Sequence, residues 1–231
     1  MRGSVKLFNL FGISINVHVT FLLLLVFFFS GGIKWLVLTL GVFCFVTLHE
    51  LCHSLMARHY GIEVKEITLL PIGGVASMSS MPEKPAQEFF ISIVGPLFNL
   101  AVIVIFYNPM RILVGPEVLF YRPLSTATWP LTLSYLYWIN LMLAVFNLIP
   151  AFPMDGGRVL RSVQAGRIGY AKATKFAVGL GHIFAIGFAY FGIVDSNLVL
   201  VAIAIFIYTA ASNEGRYVGI KEALNKFKIG A

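Results

Sequence analysis

Long apolar runs separated by short polar stretches dominate the pattern of residues along this chain. A helix needs roughly 20 apolar residues to cross the hydrocarbon core of a bilayer, and six runs approach that length. They predict helices near residues 14–30, 35–58, 87–107, 131–149, 174–193 and 197–212. We therefore expect an all-α polytopic membrane protein of about six transmembrane helices, forming a single domain over residues 1–231. An amphipathic cytoplasmic tail is predicted at 213–231.

Composition agrees with this pattern and excludes a soluble class. Of the 231 residues, 12% are charged and 58% are hydrophobic, whereas soluble domains have about 25% charged residues. The net charge of +7 suits contact with anionic lipid headgroups. The predicted headgroup anchors are Arg158, Arg161, Arg167, Lys172 and Lys175. We expect the lipid bilayer as a partner and no nucleic acid, because no basic face is clustered outside the loops.

The distribution of positive charge predicts the orientation of the spans. Fourteen of the 17 Lys and Arg residues fall on one side of the predicted helices, and the other side holds Lys34, Arg111 and Arg122. Because cytoplasmic loops carry the excess of positive residues, we predict a multi-pass protein of the cell membrane with both termini in the cytoplasm. The second helix then runs toward the cytoplasmic face.

The second helix carries the first candidate chemistry near its end, in the stretch HELCH. His49 and His53 are four residues apart, so they lie on one face of the helix. With Glu50 beside them they form the HExxH arrangement, in which two imidazoles bind one zinc ion and the glutamate acts as general base. Two packed, hydrogen-bonded histidines are the alternative. This alternative is disfavoured because ionisable groups inside a span are costly and usually functional.

A catalytic zinc site uses three protein ligands and leaves one position for water. His59 lies about 9 Å along the helix from His53, too far to share the ion, and Asp195 is predicted on the opposite side of the membrane. His182 is more simply a packed histidine. Asp155 follows the fourth helix on the correct side, between two prolines and two glycines. Broken backbone at membrane depth lines a polar cavity, so Asp155 is favoured as the third ligand at a break in the fourth helix. A helix cap is its alternative role.

The segment VKEITLLPIGGVAS follows the second helix and is rich in β-branched residues. It predicts a short membrane-associated strand or hairpin whose edge could pair with an extended substrate. The candidate substrate-binding residues here are Ile67, Thr68, Gly73 and Gly74. A surface loop, or a strand with only a structural role, is the alternative.

Four motifs occur in order along the chain: HELCH at 49–53, PIGG at 71–74, GPLFN at 95–99 and NLIPAFPMDGGR at 147–158. Together they resemble the site-2 protease family of intramembrane zinc metalloproteases, and the archaeal members most closely. The resemblance covers nearly the whole chain. It implies the zinc ligands and the base inferred above, with one Zn2+ per chain.

The resemblance adds two residue roles and a substrate class. It implies that Asn147 steadies the oxyanion of the reaction and that Asn99 lines the site as a substrate-binding residue. It also implies cleavage of single-span membrane proteins in regulated intramembrane proteolysis. Many members carry a regulatory domain that is not found here, either because this member lacks one or because the sequence was truncated. A membrane zinc transporter, or an HExxH membrane protease of another family, is the alternative function.

Overall fold

The structure is a computed structural model that describes residues 3–71, 73–80, 82, 84–116 and 128–229, the last five through their backbone alone. Arg2 and Arg122, which entered the charge count, lie outside the described residues. The described part contains four strands: β1 (Ser4–Leu10), β2 (Ile13–His18), β3 (Val64–Leu70) and β4 (Gly73–Met78). It contains seven helices: α1 (Val19–Phe29), α2 (Ile33–His59), α3 (Pro85–Val114), α4 (Trp129–Leu148), α5 (Asp155–Ile168), α6 (Tyr170–Val194) and α7 (Leu198–Ile229).

The first predicted helix is divided between β2 and α1. In β2 the buried apolar residues Ile13, Ile15 and Val17 alternate with polar ones, which is the period of a strand. Helix α1 has only 11 residues, a length of about 16 Å, whereas the hydrocarbon core is about 30 Å thick. The prediction of one helix over 14–30 is therefore wrong, because a continuous apolar composition hides the alternation at its start.

Five helices of the described residues are long and apolar enough to cross a membrane: α2, α3, α4, α6 and the part of α7 up to Leu224. They make the protein mostly helical and polytopic, without reaching the predicted count of six spans. The break in the fourth predicted helix is present, since α4 ends at Leu148 and α5 begins at Asp155. The predicted tail at 213–231 is not a separate element, because α7 continues through it as far as Ile229.

A four-stranded sheet has the order β1-β2-β3-β4 and includes the β segment expected after the second helix. The outer pairs are antiparallel and β2 pairs with β3 in parallel. Ile67 and Thr68 lie in β3, between two other strands, and are fully buried. The expectation that they form a substrate-binding edge therefore does not hold. The edge strands are β1 and β4, and β4 contains Gly73 and Gly74.

Two compact units make up the chain. The first comprises Met1–Pro82 and Val94–Val145, and the second comprises Glu83–Ile93 and Phe146–Ala231. Two apolar clusters stabilise the first unit through close van der Waals packing of their side chains. One cluster joins the sheet to α1 and α2, and its buried members are Val17, Phe21, Phe43 and Leu69. The other joins α3 to α4, and its buried members are Ile103, Tyr137 and Ala144.

In the second unit a smaller apolar cluster fixes the loop before α5. Phe152 packs against Ala177 of α6 and Ala211 of α7. The N–H of Phe152 also donates to the carbonyl of Ala177 at 3.2 Å. The small alanine side chains let both helices approach the loop closely, and the residues that immediately precede Asp155 are therefore held in place.

Candidate metal centre

Helix α2 holds His49 and His53 on one face, one turn apart. Both side chains are buried, with 5% and 6% of their surface exposed. Their rings are nearly perpendicular, at 82°, and the two Nε2 atoms face each other at 3.0 Å. The helical spacing thus brings two nitrogen atoms that can bind a metal close together, as the HExxH pattern predicts.

Helix α3 supplies a partner for the other nitrogen of the first histidine. Nδ1 of His49 lies 2.6 Å from Oδ1 of Asn99, which is fully buried. Since an amide oxygen only accepts hydrogen bonds, Nδ1 of His49 carries the hydrogen and donates it. In its neutral form the ring then keeps its lone pair on Nε2, the atom that faces His53. Fixing the tautomer through the remote nitrogen is how proteins orient a metal-binding histidine.

Gly95 lies one turn before Asn99 on α3 and makes room for both rings. A Cβ at this position would stand 2.3 Å from Nε2 of His53 and 2.8 Å from Cε1 of His49. No real Cβ makes such contacts, so only glycine fits without displacing the imidazoles. The family resemblance places GPLFN in the site through Asn99, but the steric need for its glycine is visible only in three dimensions.

The donor set suits zinc. Buried neutral imidazoles bind zinc and neighbouring transition metals well, whereas magnesium and calcium prefer oxygen ligands. The bond from His49 to Asn99 leaves the zinc-binding nitrogen in the correct form, and Gly95 leaves space around the pair. The two histidines therefore fit the metal that their spacing predicts.

Comparisons with known proteins agree with this geometry. The model of peptidase family M50 matches residues 37–119 and 110–188. The chain belongs to peptidase family M50. A zinc metalloprotease of Methanocaldococcus jannaschii is 38% identical over 99% of this chain, and a relative from Synechocystis is 32% identical over 98%. The solved structure of the site-2 protease from Methanocaldococcus jannaschii matches with a TM-score of 0.66 at 38% identity, covering 92% of this chain and 95% of that one.

This M50 chain spans only part of the length of the curated relatives that it matches. It spans 65% of the length of the Methanocaldococcus protein and 64% of the Synechocystis protein. The resemblance inferred from the four motifs is confirmed at the level of the family.

Glu50 lies beside the histidines on α2 and against the edge strand β4. A Cβ at Gly74 would meet Cγ of Glu50 at 2.8 Å and Cγ1 of Val46 at 3.4 Å. The half-buried glutamate is therefore packed directly against the backbone of β4. Of the four residues predicted to bind substrate in this segment, Gly73 and Gly74 lie on an edge strand that passes the predicted general base, whereas Ile67 and Thr68 do not.

Asn99, which the resemblance assigns to substrate binding, is buried and hydrogen-bonded on both sides. Its Oδ1 accepts from His49, and its Nδ2 donates to Oδ1 of Asn140 at 2.7 Å. Both polar atoms of the side chain are thus engaged inside the protein. Asn99 supports a predicted metal ligand, and Asn140, which sequence reasoning missed, supports Asn99.

Asp155 and Asn147 both lie in the second unit. Asn147 is in the last turn of α4, and Asp155 is the first residue of α5, after the N-cap Met154. The glycines that follow Asp155 are required by the tight turn before it. A Cβ at Gly156 would stand 2.3 Å from the carbonyl oxygen of Ile149, and one at Gly157 would stand 2.5 Å from the carbonyl carbon of Ala151.

Arg161 lies on α5 and is fully buried, so the prediction that it anchors lipid headgroups is wrong. It donates from Nε to Oε1 of Glu88 at 2.9 Å and from Nη1 to Oε1 of Glu214 at 2.7 Å. Burial alone lowers the pKa of Arg161, but the charge of Glu88 and its hydrogen bonds outweigh this and leave the pKa raised. The sequence gives no sign of this ion cluster, because the two carboxylates lie 73 and 53 residues from Arg161 along the chain.

His182 is packed as expected. Its ring stacks on Tyr208 with centroids 4.4 Å apart, and its Nε2 lies 3.0 Å from the hydroxyl of Ser212. These contacts join α6 to α7 and account for a histidine within a span.

Proposed function

We propose that this protein is a zinc-dependent endopeptidase that hydrolyses a peptide bond in or near a transmembrane helix of a membrane-protein substrate. His49, His53 and Asp155 would hold one zinc ion. The observation that carries the proposal is the buried histidine pair, whose ring nitrogens face each other while Asn99 fixes the tautomer of His49. Family membership supports it, since the relatives are named zinc metalloproteases.

The third ligand is proposed from the local structure of the second unit and from the family motif. Asp155 opens α5 directly after a loop that is held by buried apolar contacts. A carboxylate in the first turn of a helix is stabilised by the helix dipole as an anion, which is the form that binds metal. His182 offers no equivalent, because its ring is engaged by stacking and by a hydrogen bond.

A zinc ion held by these residues would act as a Lewis acid and would lower the pKa of its water toward about 7. Side chains of the protein transfer the proton and stabilise the developing charge. Glu50 takes the proton of the attacking water and passes it to the nitrogen of the leaving amine. The amide of Asn147 donates a hydrogen bond to the carbonyl oxygen as negative charge develops on it.

Substrate binding is proposed at the outer edge of β4, which pairs only with β3 in the part of the chain that the structure describes. A helical substrate has its carbonyls in intrahelical hydrogen bonds, so the scissile segment must first become extended. An extended segment can add to an exposed edge strand through backbone hydrogen bonds. The edge at Gly73 and Gly74 suits this role because Gly74 packs on Glu50. We propose a single-span protein as the substrate.

The topology that we propose has both termini in the cytoplasm and the site toward that face. The excess of positive residues on one side of the predicted spans supports this orientation. It requires an even number of passages, and we propose that α1 provides the first, shorter one in addition to the five long helices.

Metal analysis combined with a cleavage assay tests the proposal. The purified protein and its Glu50→Gln and Asp155→Asn variants are incubated in detergent with a single-span fusion protein. We expect one zinc per chain in the wild type and in Glu50→Gln, cleavage only by the wild type, and loss of both zinc and cleavage in Asp155→Asn.

Glu63→Gln is the matched control, because Glu63 is exposed just beyond the end of α2. It should retain zinc and activity. Equal loss of metal and cleavage in Glu50→Gln would contradict the role of Glu50 as base. Zinc flux into vesicles without cleavage of any transmembrane substrate would favour the transporter instead.

A further inference from the structure

Asn99 and Asn140 form a two-point hydrogen-bonded contact between α3 and α4. Nδ2 of Asn99 donates to Oδ1 of Asn140 at 2.7 Å, and Nδ2 of Asn140 donates to the main-chain carbonyl of Asn99 at 3.1 Å. The exposed fractions of the two side chains are 0% and 1%. Both amides are therefore shielded from water. In such a place the hydrogen-bond partners within the protein decide the orientation of each amide.

The main-chain carbonyl is the fixed point from which every orientation follows. A carbonyl oxygen can only accept a hydrogen bond, so the amide nitrogen of Asn140, and not its oxygen, must face the backbone of Asn99. The oxygen of Asn140 is then turned toward the side chain of Asn99, where it requires a donor. The nitrogen of Asn99 meets this requirement, and the oxygen of Asn99 is left facing Nδ1 of His49 at 2.6 Å.

We infer that Asn140 is a positioning residue for zinc: it fixes the amide orientation of Asn99 and so holds the hydrogen of His49 on Nδ1 and the lone pair on Nε2. This inference rests on the proposed function, because it assigns Nε2 of His49 to the metal. Asn140 touches neither metal nor substrate. Without Asn140 the amide of Asn99 could reverse and present its N–H groups to Nδ1 of His49. The hydrogen of His49 would then move to Nε2, and that tautomer cannot bind a metal through Nε2.

A purely structural role for Asn140 predicts different behaviour, and the same helix pair provides the comparison. The hydroxyl of Tyr137 donates to the main-chain carbonyl of Ile103 at 3.1 Å. Tyr137 and Ile103 lie about one turn from Asn140 and Asn99 on the same two helices. Both contacts join a side chain of α4 to a carbonyl of α3, but only the one from Asn140 continues to a metal-binding histidine.

The experiment measures zinc affinity by chelator competition for the wild type, Asn140→Leu, Asn140→Ala and the control Tyr137→Phe. Loss of outer partners of a metal ligand weakens affinity by about 10- to 100-fold. We expect a loss of about tenfold in both Asn140 variants, because Asn140 acts through one intermediate. The visible spectrum of the Co2+-loaded protein should change with it. Tyr137→Phe should keep the affinity and the spectrum of the wild type.

A double-mutant cycle with Asn99→Ala decides whether the effect passes through Asn99. If it does, Asn140→Leu weakens zinc binding in the wild-type background and adds no further loss in the Asn99→Ala background. Wild-type affinity in both Asn140 variants, an equal loss in Tyr137→Phe, or additive losses in the cycle would overturn the inference. So would failure of both Asn140 variants to fold while Tyr137→Phe folds. Absence of zinc binding by the wild type would instead refute the proposed function.

Discussion

Two buried polar clusters, one in each unit, stabilise the protein in different ways. In the first unit, His49, Asn99 and Asn140 are joined by neutral hydrogen bonds. In the second unit, Arg161 is enclosed by Glu88, Glu214 and two aromatic rings, with its guanidinium carbon 4.7 Å from the ring centres of Phe152 and Tyr170. With His49 in its neutral, metal-binding form the first cluster has no formal charge, whereas the second brings together one cation and two carboxylates.

The difference follows from what each cluster has to fix. Neutral amides have distinct donor and acceptor ends, so a chain of them can specify which nitrogen of an imidazole carries the hydrogen. An ion cluster specifies little of this kind, but its members are very costly to leave unpaired in a buried place. The neutral cluster should therefore control zinc binding with little effect on stability, and the charged cluster should control the stability of the unit that carries Asp155.

The largest effect is expected from Arg161→Met. Removing the cation leaves the buried Glu88 and the partly buried Glu214 with no compensating charge from Arg161, and breaking a buried pair in this way typically costs about 3–5 kcal/mol. We expect the free energy of unfolding to fall by about that amount, measured by chemical denaturation in detergent micelles. Arg167→Met is the matched control, since Arg167 is exposed at the end of the same helix and its loss should change stability by less than about 0.5 kcal/mol.

A second variant shows whether this loss comes from unpaired charge. Adding Glu88→Gln to Arg161→Met removes one of the two carboxylates that the first change leaves unpaired. The double variant should regain part of the lost stability. If it is no more stable than Arg161→Met, the arginine acts through its packing on Phe152 and Tyr170, and the contrast between the clusters is smaller than we infer.

Gly95→Ala should have the largest effect in the first unit. The new Cβ would lie 2.3 Å from Nε2 of His53, so at least one ring must leave its place. A displacement of about 1 Å at a catalytic centre can reduce the rate about 100-fold. We expect a loss of at least that size in cleavage, and a matching loss of bound zinc measured by metal analysis.

The control for this change is Gly179→Ala, at a helical glycine of α6 that has open space around it. It should retain zinc and activity. The melting temperature of zinc-free Gly95→Ala should stay close to that of the zinc-free wild type. If Gly95→Ala instead lowers the melting temperature and the folded variant still binds zinc, Gly95 serves packing alone. That result would contradict the proposed difference between the two clusters.

Sequence reasoning found the residues whose chemistry has a local pattern. The spacing of His49 and His53 along one helix needs no tertiary information, and the prolines and glycines around Asp155 mark a break in any helix. The supporting residues have no such signal, because Asn99 and Asn140 are 41 residues apart and each is an ordinary polar residue in an apolar run. Their partnership arises only from the packing of α3 on α4.

The absence of a local signal also explains two of the predictions that failed, one for an element and one for a charge. Local composition made residues 14–30 resemble one span, but pairing with β1 and β3 draws Ile13–His18 into a sheet. Arg161 resembled its neighbours Arg158 and Arg167 in sequence, and only its distant carboxylates make burial possible. In both cases a long-range partner overrides a local preference, which is where predictions from sequence are weakest.

The smallest effect is expected from Glu214→Gln. Glu214 is 16% exposed, and a glutamine can still accept the hydrogen bond from Nη1 of Arg161. The substitution also leaves one carboxylate for one guanidinium, which removes the repulsion between Glu214 and Glu88. We therefore expect the free energy of unfolding to change by less than about 1 kcal/mol, with Glu222→Gln on the same helix as an exposed control. A loss as large as that of Arg161→Met would mean that the cluster needs both carboxylates, and that its stability depends on net charge as well as on the central arginine.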